Sequence, residues 1–178
     1  MQRKNIFVFT VLKIVAWIIF VGLCIEAVGL IVNFAFSLFK PEFVQNLYQK
    51  LDLSEMYSRS KWAFFSMYSF ALLISILKAF LFYVVIRLIS KLDLLKPFNS
   101  FVAAQIKQIS YYTLSIGLLS YLARQTAKNL LHRGFEINTL NQFWIDSQAF
   151  ILMAAVIYII ATIFSKGVEI QSENDLTV

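Results

Sequence analysis

Glu26 and Lys78 are the ionisable residues set deepest inside apolar runs of this sequence. A charge held in hydrocarbon is costly, so such a residue marks an ion, proton or ligand site, or a buried structural pair. Gly22, Glu26, Gly29 and Asn33 follow the i, i+4, i+7, i+11 spacing of one helical face. Small and polar residues on one face mark the side that meets other helices, which turns Glu26 and Asn33 inward. If each run is centred in the same bilayer and the two are antiparallel, Glu26 and Lys78 lie roughly 8 to 9 Å apart along the normal at ~1.5 Å per residue. Two long side chains can close that gap.

A second polar stripe carries Ser110, Thr113, Gly117, Ser120 and Arg124. It either lines a polar cavity or supplies hydrogen bonds between helices. No phosphate loop, serine elbow, HExxH or pair of carboxylates on one face of a span is present, so no enzyme is expected. The single cysteine, Cys24, and single histidine, His132, exclude an internal disulfide and a His- or Cys-based metal site, and no cofactor is expected.

The elements that must position these residues follow from composition. The chain has 178 residues, 60% hydrophobic and 15% charged. Ordinary soluble domains carry about a quarter charged residues, so a soluble enzyme or nucleic-acid module is excluded and the lipid bilayer is the first partner. A span needs about 20 mainly apolar residues. Four segments qualify, at about 6–39, 62–89, 104–123 and 143–165, with both prolines, Pro41 and Pro97, in connections. The fold class expected is all-α, an integral membrane four-helix transmembrane bundle forming one domain. The start Met1-Gln2-Arg3-Lys4-Asn5 resembles a signal peptide, but the apolar run continues past Phe36 without a small-residue cleavage site, which reads as an uncleaved first span.

Trp62 and Trp144 open the second and fourth segments, as interfacial tryptophans at one membrane face. Between Pro41 and Lys61, Phe43, Val44, Leu47 and Leu51 fall on one helical face, the pattern of a short amphipathic helix in the first outer loop, lying on the membrane surface or capping the bundle through protein contacts. Eight Lys and Arg residues fall on the side of the termini and seven on the other, with the densest cluster between Arg87 and Lys107. That distribution favours cytoplasmic termini. After the fourth segment Gly167 reads as a helix stop, and Val168 and Ile170 alternate with Glu169 and Gln171 as in a short strand. Val168, Glu169, Ile170, Glu173, Asp175 and Leu176 form an acidic tail over 166–178, suited to a partner's sheet edge or groove.

The ending from Phe164 to Val178, FSKGVEIQSENDLTV, resembles the terminal signature of the bacterial DUF2975 family, and Lys96-Pro97-Phe98 with Ile106 to Ile116 resembles the family's segment between its second and third spans. The resemblance implies a small four-span protein of the bacterial cytoplasmic membrane, of unknown function, with no catalytic residues to carry over. It also implies a possible partner, a small helix-turn-helix transcription regulator encoded nearby. Two functions follow: a non-enzymatic membrane partner or sensor for such a regulator, or an oligomeric transporter, channel or ligand-binding bundle. Direct nucleic-acid binding is not expected. A reporter enzyme fused after Val178 is expected to be active inside the cell; activity only outside would reverse the orientation.

Overall fold

The computed structural model describes residues 2–40, 44, 47, 51–93, 97–144 and 146–176, with side chains from residue 7. The fold is an all-α membrane helical bundle. Five α-helices follow one another: α1 (Gln2–Phe39), α2 (Ser54–Arg59), α3 (Lys61–Lys91), α4 (Ser100–His132) and α5 (Ser147–Leu176), with a 3-10 turn at Asn138–Phe143 before α5. Phe7–Phe39, Lys61–Lys91 and Thr139–Asn174 are long and apolar enough to cross a membrane. α4 is long but more polar.

The helices end where backbone chemistry requires. The Asn99 side chain accepts from the Val102 amide and the Ser60 hydroxyl from the Ala63 amide, satisfying donors that a helix start leaves open. Beside α2, Asp52 accepts from the amide and hydroxyl of Ser54, and the hydroxyl hydrogen bond holds its carboxyl below its ordinary range. α4 ends at His132, and the turn after it passes through Gly134, whose φ of +79° suits a residue without a Cβ. There the Arg59 guanidinium donates to the carbonyls of Gly134 (2.7 Å) and Arg133 (2.8 Å) and lies over the Phe135 ring. That clamp ties the end of α2, just before α3, to the turn that follows α4.

The long helices pack in series and antiparallel. α1 meets α3 through Phe34 on Phe65, Glu26 on Ser75 and Phe20 on Tyr83. α3 meets α4 through Phe80 on Tyr112. α4 meets α5 through Ser110 on Ala154 and Tyr111 on Tyr158. The main interfaces join α1 to α3, α3 to α4 and α4 to α5. The core lies toward the end away from the chain termini, where Leu30, Phe64, Met67, Tyr68, Ile74 and Ile116 are wholly buried.

Several sequence expectations change here. The amphipathic helix over 43–51 is replaced, in its described part, by a reversal. Leu47 pairs with Leu51 in an antiparallel bridge, with the Leu47 N–H donating forward to the Leu51 carbonyl. An α-helix donates in the opposite direction. Val44, Leu47 and Leu51 are buried, so this stripe faces protein, and Phe43 lies outside the described residues. Trp144 is 2% exposed and belongs to the core, whereas Trp62 is 88% exposed and suits an interface. Gly167 does not stop α5, which runs on to Leu176. A Cβ at Gly167 would sit 2.7 Å from the Phe98 ring, so this glycine admits a packed aromatic rather than a turn. Gly167, Val168 and Gln171 are half-buried while Lys166, Glu169, Ile170 and Ser172 are exposed, a helical pattern too short to be told from alternation in the sequence alone.

α4 and α5 approach most closely at Gly117, where a Cβ would lie 2.7 Å from Ile151 Cγ1 and 3.0 Å from the Ile151 backbone nitrogen. Backbone cannot step aside as a ring can. Gly117→Ala is therefore expected to destabilise by ~1–3 kcal/mol despite alanine's better helix propensity. Gly167→Ala, which meets only the movable Phe98 ring, is expected to change little. Thermal unfolding of both variants in detergent checks the contrast.

Candidate functional site

The α1–α3 register sets the surroundings of Glu26. Phe20 lies by Tyr83, and the Tyr68 hydroxyl donates to the Leu30 carbonyl at 3.1 Å. Between these contacts the Ser75 hydroxyl donates to Glu26 Oε1 at 2.7 Å. Ser75 is wholly buried and Glu26 half-buried. Ser75 is midway between Lys61 and Ile89, so the pair sits near the middle of the apolar length of α3. A short hydrogen bond to a buried hydroxyl is what a carboxyl group needs to be tolerated there.

Glu26 and Lys78 are not joined. Lys78 lies three residues beyond Ser75, about 60° round α3 at ~3.6 residues per turn. Its ammonium points to the Phe143 carbonyl at 3.5 Å, the long end of hydrogen-bonding range. The 3-10 turn and the residues around it reach into the core, with Ile137, Leu140, Phe143 and Trp144 all buried, and that brings the Phe143 carbonyl to Lys78. The partner of Glu26 that charge-based reading missed is Ser75. Its signal was a lone serine in the run Phe70-Ala71-Leu72-Leu73-Ile74-Ser75-Ile76-Leu77. Asn33, on the Glu26 face, is half-buried.

The α4 stripe divides. Ser110 donates to the Ala154 carbonyl at 3.0 Å, Thr113 donates back to Ile109 in its own helix, and Gly117 and Ser120 are buried. These residues fill the contact with α5 rather than line a channel. Two buried polar atoms among the described residues, Gln105 Oε1 and Ser147 Oγ, have no hydrogen-bond partner. Arg124 leaves the interface: with Lys128, Asn141 and Trp144 it borders a cavity of about 340 Å³ at the end of α4. An apolar hollow of similar size lies between α1 and α3, beside Phe20, Cys24 and Phe80.

The tail residues stand on the last turns of α5. Val168 is half-buried and borders a hollow with Ser100, Ala103 and Lys107 of α4. Glu169 and Glu173 are exposed, as is Ile170, and Glu169 accepts from Lys166 at 2.5 Å. The backbone of Asp175 and Leu176 is helical, and their side chains lie outside the described residues. Phe98 rests on Gly167 and tilts against Phe164 at 5.1 Å between ring centroids, so the connection before α4 braces this extension.

The Glu26–Ser75 contact can be tested directly. Glu26→Gln keeps an acceptor oxygen and is expected to leave stability within ~0.5 kcal/mol of the parent, while Ser75→Ala, which strips the donor, is expected to cost about 1 kcal/mol. Unfolding of both variants in detergent measures the difference.

Set beside known proteins, residues 46–178 match the family described as a protein of unknown function (DUF2975). The match takes in α2 through α5. No curated protein and no solved structure matches the chain.

Proposed function

The chain belongs to the DUF2975 family, and from that premise we propose that it is a non-enzymatic membrane protein that docks a small basic cytoplasmic protein, of the helix-turn-helix regulator class, on the extension of α5. The observation that carries this reading is the helix itself. α5 holds 30 residues, about 45 Å at ~1.5 Å per residue, against a hydrocarbon layer of about 30 Å. Its last turns therefore emerge into water, held in place by Phe98. Glu169, Ile170 and Glu173 share one exposed stripe at i, i+1 and i+4. That is the pattern of a helix that lies in a partner's groove, with an apolar anchor between acids.

Electrostatics supports the same surface. Carboxylates near a helix C-terminus oppose the negative end of its dipole, a cost that Lys166 offsets in part by its attraction to Glu169 and Glu173. A basic partner surface would convert that local cost into attraction, strongest at low salt. The regulator's basic DNA-binding face is one such surface, and a regulator held there is kept from DNA. On this reading both termini face the bacterial cytoplasm.

The oligomeric transporter or channel fares less well. Glu26 is engaged by Ser75, and the α4 stripe is consumed in packing α5. Crosslinking in native membranes followed by mass spectrometry tests the docking reading. The full chain is expected to capture a small basic DNA-binding protein, and a chain ending at Gly167 to lose it. Equal capture by both would remove the tail as the contact, and recovery of the chain alone would favour self-association.

A further inference from the structure

We infer that the cavity bordered by Arg124 and Lys128 is a binding site for the headgroup of an anionic phospholipid. This site lies at the opposite end of the helices from the α5 extension and does not rest on the docking reading. Its walls divide by chemistry. Arg124 and Lys128 supply two cations, and Leu131, Ile137 and Trp144 supply apolar surface. Among the described residues no carboxylate borders it. Asn141 gives its Oδ1 to the Trp144 indole N–H at 3.3 Å, which leaves its amide N–H groups as donors. A hollow with cations on one wall and apolar side chains on the other matches a molecule with a phosphate at one end and hydrocarbon at the other.

Depth identifies that molecule as membrane lipid. Phe80 of α3 stacks on Tyr112 of α4, and Arg59, just before α3, grips Gly134, just after α4, so Trp62 stands level with about Leu131. Trp62, 88% exposed beside Lys61, marks the interface at this end. Arg124 is seven residues further into α4, about 10 Å deeper at ~1.5 Å per residue. Escape toward water is hindered, because side chains on a helix lean toward its N-terminus, and for α4 that direction is the bilayer centre. The one ion pair among the described residues joins Lys166 to Glu169, at the other end. Two cations near the edge of the hydrocarbon, with no protein carboxylate paired to them, call for an anion that reaches this depth. A phospholipid phosphate lies there already and forms charge-assisted hydrogen bonds with both side chains. The acyl chains then run along Leu131 and the exposed surface of α4.

The test uses the purified full chain in a neutral detergent, with dioleoyl phosphatidylglycerol or dioleoyl phosphatidylcholine added and retained lipid counted by native mass spectrometry. One phosphatidylglycerol is expected to be retained in preference to phosphatidylcholine. Retention is expected to fall about tenfold in Arg124→Gln, the scale of one charge-assisted hydrogen bond, and further with Lys128→Gln added. Arg124→Lys, which keeps charge and fold, is expected to retain most of the lipid. Lys107→Gln, at the far end of α4, is expected to bind as the parent does. Unchanged lipid-free unfolding of the double variant establishes that its fold is intact. Equal retention by parent and double variant would overturn the site, as would equal retention of the two lipids. Displacement of the lipid by millimolar inorganic phosphate would reassign it to a soluble anion.

Discussion

Hydrocarbon offers no hydrogen bonds, so a polar group carried into it is costly unless it finds a partner. α4 bears the heaviest load of such groups among the long helices, and its place follows from that. It lies between α3 and α5, with Ser110, Thr113 and Ser120 turned away from lipid. The close approach at Gly117 lets the two backbones come near enough for the Ser110 hydroxyl to reach the Ala154 carbonyl. The more apolar α1 needs no such enclosure and packs mainly on α3, leaving Ile18, Ile25, Val28 and Phe36 to meet lipid.

The same constraint explains the intramembrane ionisable groups. Glu26 is accommodated by one serine on the facing helix, and Lys78 turns to a backbone carbonyl of the inserted segment before α5. Neither contact requires an opposite charge. A carboxyl group that accepts from a buried hydroxyl, in a register fixed by aromatic contacts on either side, is a local solution to burial rather than a conduit. The two surfaces proposed for recognition lie at the ends of the bundle, where the helices meet headgroups and water.

Much of the architecture was legible in hydropathy alone, because the pattern that makes a helix insert is the pattern a reader sees. The all-α membrane fold rests on long apolar runs separated by Pro41 and Pro97. What stayed hidden depended on contacts between distant segments. The 41–53 connection carries a helical stripe in Val44, Leu47 and Leu51, yet those residues are buried beneath a backbone reversal. Trp144 looks interfacial by position but is drawn into the core with Leu140 and Phe143. Gly167 reads as a stop until Phe98 is seen resting on it. Lys96-Pro97-Phe98 and the chain ending, the two segments that carry the family resemblance, meet at that contact. At the candidate site, charge drew attention to Lys78, while the partner Glu26 uses is an uncharged serine three residues earlier.

The Arg59 clamp also has a consequence in time. Arg59 and Gly134 are 75 positions apart in the chain. A ribosome adding roughly 5–20 residues per second needs several seconds to cover that distance. α1 and α2 are already made when that interval begins, and α3 and α4 are added during it, while the carbonyls that Arg59 will grip do not yet exist. The first hairpin must therefore hold together in the membrane on its own contacts, Phe34 on Phe65, Tyr68 on Leu30 and Ser75 on Glu26, none of which uses a residue beyond α3. Arg59 then closes over the emerging end of α4 as a latch, so the order of synthesis is written into which contacts are local and which must wait.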